Sequence, residues 1–70
     1  MKKVAYTSHA IVRMMERDIE QKVVEGIIDQ PDYVRTALDG KKMAVKDVGD
    51  RIISVIYIEE ERNIRVVTVY

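Results

Sequence analysis

Three consecutive stretches decide the fold: Arg51-Ile-Ile-Ser-Val-Ile-Tyr-Ile58, the charged turn Glu59-Glu-Glu-Arg-Asn63 and the run Ile64-Arg-Val-Val-Thr-Val-Tyr70. The first run is almost wholly apolar, which is typical of a central strand that is buried in a sheet. The second run has the composition of another strand, and the turn between them is polar. This part of the chain therefore predicts two consecutive strands that pair antiparallel.

Two further turns lie upstream of this pair. Asp39-Gly40 is a strong two-residue hairpin signal between the strand-like segments 33–38 and 41–48. Gly49-Asp50 marks a second tight turn before residue 51. The second half of the chain thus predicts a four-stranded antiparallel meander.

The first half has helical periodicity instead. Residues 8–17 form an amphipathic pattern that Thr7 or Ser8 can cap, and a second pattern runs from about residue 19 to residue 29. Asp18 is expected to be the N-cap of this second helix, and Pro31 follows its end. Together with a short extra strand at residues 3–6, we expect an α+β fold with two short N-terminal helices packed on the sheet.

Composition limits the function classes. Seventy residues make a single domain, residues 1–70, and twelve basic residues balance twelve acidic ones. Bulk charge therefore gives no signal for nucleic acid or membrane binding. The chain has no cysteine and one histidine, so we expect no metal site and no cofactor. No apolar run is long enough to span a bilayer, and we expect a cytoplasmic protein.

The two faces of the predicted sheet are both apolar. Strict alternation places Met43, Val45, Ile53, Val55, Tyr57, Val67 and Val69 against the helices. The second face would carry Ile52, Ile56, Ile58, Ile64 and Val66, with Lys42, Lys46, Ser54, Thr68 and Tyr70. Because this face is too apolar to be only solvated, we expect a homodimer.

The candidate functional residues begin with His9, Arg13 and Arg17, which stand four positions apart. On a helix this spacing places one imidazole and two guanidiniums on one face. We name the helix predicted over residues 8–17 α1 and call these three residues the α1 stripe. Guanidiniums bind phosphate bidentately, and a histidine beside them is a candidate general base or acid. The alternative is an ordinary helix surface, in which nearby acidic residues pair with the arginines.

Other candidates lie in the strands. Thr68 and Tyr70 share one face of the last strand, where Tyr70 is a candidate proton donor or stacking group and Thr68 a candidate phosphate ligand. Lys42 and Lys46 are candidate phosphate ligands on a neighbouring strand. The alternatives are that Tyr70 covers the edge of the core and that the lysines protect a sheet edge.

The motifs resemble one known family. The chain resembles the domain-of-unknown-function 4258 family in its opening motif, a central break and its closing motif. These are Ser8-His9-Ala10-x-x-Arg13-Met14-x-x-Arg17-x-Ile19, the break at Pro31 and the ending Arg65-Val-Val-Thr68-Val-Tyr70. That family is similar in layout to small toxins of the RelE and BrnT kind. The chain departs from those toxins in its shorter length and its balanced charge.

The resemblance implies a toxin-like domain that acts on RNA as a metal-independent ribonuclease, with a cognate antitoxin as a partner. His9, Arg13, Arg17 and Tyr70 would be catalytic. Arg13, Arg17, Lys42, Lys46 and Thr68 would bind RNA phosphates. Because likeness of layout does not carry function, a non-catalytic homodimeric protein-interaction module stays open as the alternative.

Overall fold

The computed structural model describes residues 2–70. Its elements are β1 (Lys3–Tyr6), α1 (Ser8–Glu16), α2 (Gln21–Asp29), β2 (Tyr33–Thr36), β3 (Lys42–Asp47), β4 (Ile52–Glu59) and β5 (Asn63–Val69). A short 3-10 turn at Leu38–Gly40 joins β2 to β3. The α+β class, with both helices ahead of the meander, is confirmed. Neither α1 nor α2 is long and apolar enough to cross a membrane.

The sheet of residues 2–70 has the strand order β1-β5-β4-β3-β2. From β2 to β5 each strand pairs antiparallel with the next, as the meander prediction requires. The extra strand expected at residues 3–6 is present as β1, but it pairs parallel with β5, so the sheet is five-stranded and mixed and not a four-stranded antiparallel one. This pairing satisfies backbone groups along one edge of β5 that would otherwise be exposed. A RelE-like layout is not established by this mixed sheet.

Both helices pack against one face of the sheet, which we call the helix-side face. The core joins Ala10 and Met14 of α1 and Val24 and Ile27 of α2 to buried strand residues, which include Ala44, Ile53, Val55, Tyr57, Val66 and Val69. The opposite face is covered by neither α1 nor α2, and we call it the back face. The core therefore lies between the helices and one side of the sheet.

The predicted orientation of β3 is reversed. Ala44 pairs with Val55 in the core, so Met43 and Val45 point to the back face. Because successive side chains of a strand alternate, Lys42 and Lys46 lie on the helix-side face and not on the back face. A one-residue shift in the assignment moves a whole strand's side chains to the other side, and this is the error in the prediction.

A β-bulge changes the alternation of β5. Tyr57 pairs with Val66 and Ile56 pairs with Thr68, which leaves Val67 without a direct partner. Val66 and Val69 are consequently both buried in the core. The prediction was right for Val69 and wrong for Val66 and Val67, because the extra residue interrupts the period of two.

The helix junction also differs from the prediction. The N-cap of α1 is Thr7, as expected, but the N-cap of α2 is Glu20 and not Asp18. Asp18 has φ +55° and follows the C-cap of α1; its N–H donates to Met15 O (3.3 Å), and the N–H of Ile19 donates to Met14 O (2.8 Å). These two bonds form a Schellman motif, so Asp18 ends the first helix and does not begin the second.

Candidate functional site

Residue Thr7 fixes the start of α1 beside the last strand. Its N–H donates to Val66 O (3.0 Å), and its hydroxyl donates to Val67 O (2.8 Å). The same hydroxyl oxygen accepts a hydrogen bond from the N–H of Ala10 at 3.0 Å, which caps the helix. One threonine therefore holds the first turn of α1 next to the end of β5.

Arg13 and Tyr70 come together as a result. The Arg13 guanidinium carbon lies 5.7 Å from the centre of the Tyr70 ring, within the range of a cation–π interaction. Arg13 is half-buried and Tyr70 is 51% exposed. This contact joins one of the helix candidates, Arg13, to one of the last-strand candidates, Tyr70.

The other two members of the α1 stripe are more open. His9 is exposed in the first turn of α1, and Arg17 is exposed at the C-cap, just after the helix ends at Glu16. The side chains of His9, Arg13 and Arg17 make no hydrogen bond or ion pair with any residue of the range 2–70. Their nitrogen atoms are therefore free to contact a ligand, although the structure brings only Arg13 against Tyr70.

The two lysines lie elsewhere. Lys42 forms an ion pair with Glu59 Oε1 at 2.7 Å, and Lys46 donates to the carbonyl of Gln30 at 2.7 Å, at the end of α2. Both contacts are on the helix-side face, whereas Thr68 and Tyr70 face the other way. The structure does not bring Lys42 and Lys46 to the Arg13–Tyr70 contact.

Thr68 lies in a groove on the back face. The groove has a volume of about 580 Å³ and runs from the β2–β3 turn to Tyr70. Its lining includes Arg35, Lys41, Met43, Ile56, Val67, Thr68 and Tyr70. Thr68 is only 7% exposed, and its hydroxyl has no hydrogen-bond partner among the described residues. Buried hydroxyl groups usually form at least one hydrogen bond, so Thr68 is an exception.

The shifted pKa values belong to other parts of the molecule. Hydrogen bonds from Lys42 and Lys2 lower the pKa of Glu59 to about 2. Burial raises the pKa of Tyr6, and a hydrogen bond from its hydroxyl to Glu25 (3.0 Å) raises it further. These groups stabilise the junctions between elements, and none of them belongs to the α1 stripe.

Two arginines of structural importance were missed in the sequence. Arg35 stands over the ring of Tyr33 at 5.3 Å and lines the back-face groove. Arg51 donates to the carbonyl oxygens of Arg17 (2.5 Å) and Asp18 (2.9 Å), which ties the β3–β4 turn to the end of α1. The spacing of Tyr33 and Arg35 by two in a predicted strand indicates that they share a face, so their contact could have been predicted. The residues around Arg51 do not indicate its partners, which are distant in the sequence.

No group of three metal-binding side chains is found within residues 2–70. Independence of a metal ion stays a prediction, because the arrangement of these side chains does not by itself identify a reaction.

Comparison with known proteins gives one positive result. No curated protein and no solved structure matches the chain significantly. The model of one family, described as "Domain of unknown function (DUF4258)", matches residues 6–70. That range includes the α1 stripe, the bulged last strand and the contact of Arg13 with Tyr70. The chain therefore belongs to the DUF4258 family, as its opening and closing motifs predict.

Proposed function

We propose that this chain is a toxin-like domain that binds RNA and cleaves it as a metal-independent ribonuclease in the cytoplasm. The observation that carries the proposal is the contact of Arg13 with Tyr70, one helical turn from the exposed imidazole of His9. A cation, an aromatic ring and a proton-transfer group on one exposed surface are the groups that RNA cleavage uses.

The reaction would begin with attack of a ribose 2′-oxygen on the adjacent phosphorus. His9 would take the proton of the 2′-hydroxyl, or return one to the leaving 5′-oxygen, while the P–O5′ bond breaks and a cyclic phosphate forms. Arg13 and Arg17 would hold the phosphate and stabilise the charge that develops on its oxygens. Tyr70 would stack on a base or supply the second proton.

The state of Arg13 supports this assignment. Its guanidinium is held over an aromatic ring, which restricts its position without using its N–H donors. Because no described residue accepts a hydrogen bond from these donors, they can all turn toward a phosphate. A guanidinium that was neutralised by a carboxylate would be a poorer anion site.

The test is cleavage of labelled RNA by the purified chain in the presence of EDTA. General acid–base catalysis contributes about 10²- to 10⁴-fold, so His9→Ala should lose at least a hundredfold in rate. Glu16→Ala, an exposed change on the same helix, is the matched control and should keep the wild-type rate. Equal rates for the wild type and His9→Ala would contradict the catalytic role.

A partner antitoxin is part of the proposal. Expression of the wild type should arrest growth, and co-expression of the neighbouring small open reading frame should relieve the arrest. His9→Ala should bind the same partner and leave growth unaffected. Growth arrest by both proteins would show that any toxicity does not arise from His9.

The second candidate function is a non-catalytic homodimeric interaction module. One observation favours it: all residues of the edge strand β2 are exposed, and Leu38 in the following turn is 85% exposed. An open edge beside exposed apolar side chains is suited to pairing with another chain. Light scattering at high concentration tests this, since Leu38→Lys should convert a dimer to a monomer and a monomeric wild type would contradict it.

A further inference from the structure

Four side chains form one row across the back face. The register pairs Arg35 with Met43, Met43 with Ile56, and Ile56 with Thr68, so one residue from each of β2, β3, β4 and β5 lies in line. With strands about 4.8 Å apart, the row spans about 14 Å from Arg35 to Thr68. We call these four residues the back-face row.

The chemistry of the row changes from one end to the other. Arg35 supplies a cation at the open β2 edge, and Met43 and Ile56 supply a half-buried apolar floor. Thr68 supplies a buried hydroxyl at the far end. A single occupant that meets the whole row therefore needs an anionic end, a flat apolar body and a polar edge.

Neither end of the row has a polar partner among the residues that the structure describes. The Arg35 guanidinium is held over Tyr33 and has no carboxylate or carbonyl partner within residues 2–70. The buried Thr68 hydroxyl forms no hydrogen bond with any residue in the described range 2–70, which leaves the free-energy cost of its desolvation uncompensated. A purely apolar occupant would satisfy neither group, and inorganic phosphate would leave the floor uncovered.

We infer that the back-face groove binds one unstacked nucleotide of the RNA, with its base on Met43 and Ile56, a polar edge of the base at Thr68 and the adjoining phosphate at Arg35. This inference rests on the proposed function and adds the binding subsite that the α1 stripe lacks. The groove volume of about 580 Å³ lies in the range of small-molecule sites. Tyr70 joins the two regions, since it lines this groove and also contacts Arg13.

The experiment measures binding of a fluorescent single-stranded RNA pentamer by anisotropy. Thr68→Val removes one hydrogen bond and should weaken binding about two- to tenfold. Arg35→Gln should weaken it similarly and reduce the dependence on salt by about one phosphate contact. The matched controls are Ser54→Ala, another back-face hydroxyl, and Arg62→Gln, an exposed arginine in the β4–β5 turn, and both should bind within twofold of the wild type.

NMR titration with adenosine monophosphate gives a readout that does not depend on cleavage. The backbone resonances of Met43, Ile56 and Thr68 should shift with the nucleotide and not with inorganic phosphate, which is expected to shift only Arg35. Equal shifts with phosphate alone would overturn the base-binding part of the inference. Normal RNA binding and cleavage by both Thr68→Val and Arg35→Gln would overturn the groove and leave the proposed function standing, whereas no RNA binding by the wild type would overturn both.

Discussion

Replacement of Thr68 by valine should stabilise the protein. Valine keeps the branched shape of threonine and replaces a hydroxyl that forms no hydrogen bond with residues 2–70 by a methyl group. An unsatisfied buried hydroxyl costs about 1–3 kcal/mol. Since Thr68 is 7% exposed, most of this cost should be relieved, and we expect a gain of about 1–2 kcal/mol in the free energy of unfolding.

The gain is measured by urea titration and by thermal unfolding. A domain of this size gains about 4–8 °C in Tm for each kcal/mol, so the midpoint should rise by about 5–15 °C. The urea m-value should stay unchanged, because the same surface is exposed on unfolding. Thr36→Val is the matched control, since the same chemical change at an exposed position should stay within about 0.5 kcal/mol of the wild type.

A loss of stability in Thr68→Val would refute this reasoning. It would mean that the hydroxyl is hydrogen-bonded in the folded protein, by an ordered water or by a rearranged neighbour. A ligand at Thr68 would then find no unsatisfied hydroxyl to bind. A gain in stability together with weaker RNA binding is the combination that the groove predicts, because a binding group that is left unsatisfied destabilises the free protein.

Three other changes test the junctions of the fold. Asp18→Gly should raise the free energy of unfolding by about 0.5–1 kcal/mol, because φ +55° strains a non-glycine residue, and an unchanged urea midpoint would contradict this. Arg51→Met should lower the free energy of unfolding by about 1–2 kcal/mol, because two hydrogen bonds to the end of α1 are lost. Arg51→Lys should lose less, since it keeps a donor. An unchanged free energy in Arg51→Met would show that packing alone holds the ends of these elements. The lowered pKa of Glu59 means that its ion pairs stabilise the fold above about pH 4.5 and are lost as the pH falls toward about 2. Glu59→Gln should remove this part of the acid dependence, and identical pH profiles of urea midpoints for the two proteins would contradict it.

Local signals predicted the elements well. The cap at Thr7, the turn at Asp39-Gly40 and the apolar β4 depend on residues that are close in the sequence, and the structure contains all of them. Asp39 and Gly40 both have positive φ, as a tight hairpin turn requires. Such features can be predicted from the sequence because the interactions that stabilise them lie within a few residues.

Features that depend on contacts between residues far apart in the chain could not be predicted from the sequence. The parallel pairing of β1 depends on an open edge of β5, and strand propensity does not identify the partner. The bulge at Val67 leaves the hydrophobic composition of β5 unchanged while it changes which valines enter the core. Asp18 resembles an N-cap in sequence, but the buried pair Met14 and Ile19 fixes it as the end of α1.

The candidate site was partly predictable for the same reason. Helical spacing predicted that His9 and Arg13 lie one turn apart on one helix, whereas Arg17 lies at the C-cap, just beyond the helix. The placement of Lys42 and Lys46 on the helix-side face required the register of β3. The row from Arg35 to Thr68 needs three pairings to be known at once. No single segment of the sequence contains that information.

The parallel pairing of β1 with β5 also has a consequence for how the protein is made. Residues 3–6 pair with residues 63–66, which are synthesised about 3–12 s later at ordinary rates. Contacts between such distant positions slow folding, because a long loop must close before they form. A chain that is interrupted before Tyr70 carries His9 and Arg13 without the ring that Arg13 contacts. The arrangement delays the contact of Arg13 with Tyr70 until synthesis has passed the last strand.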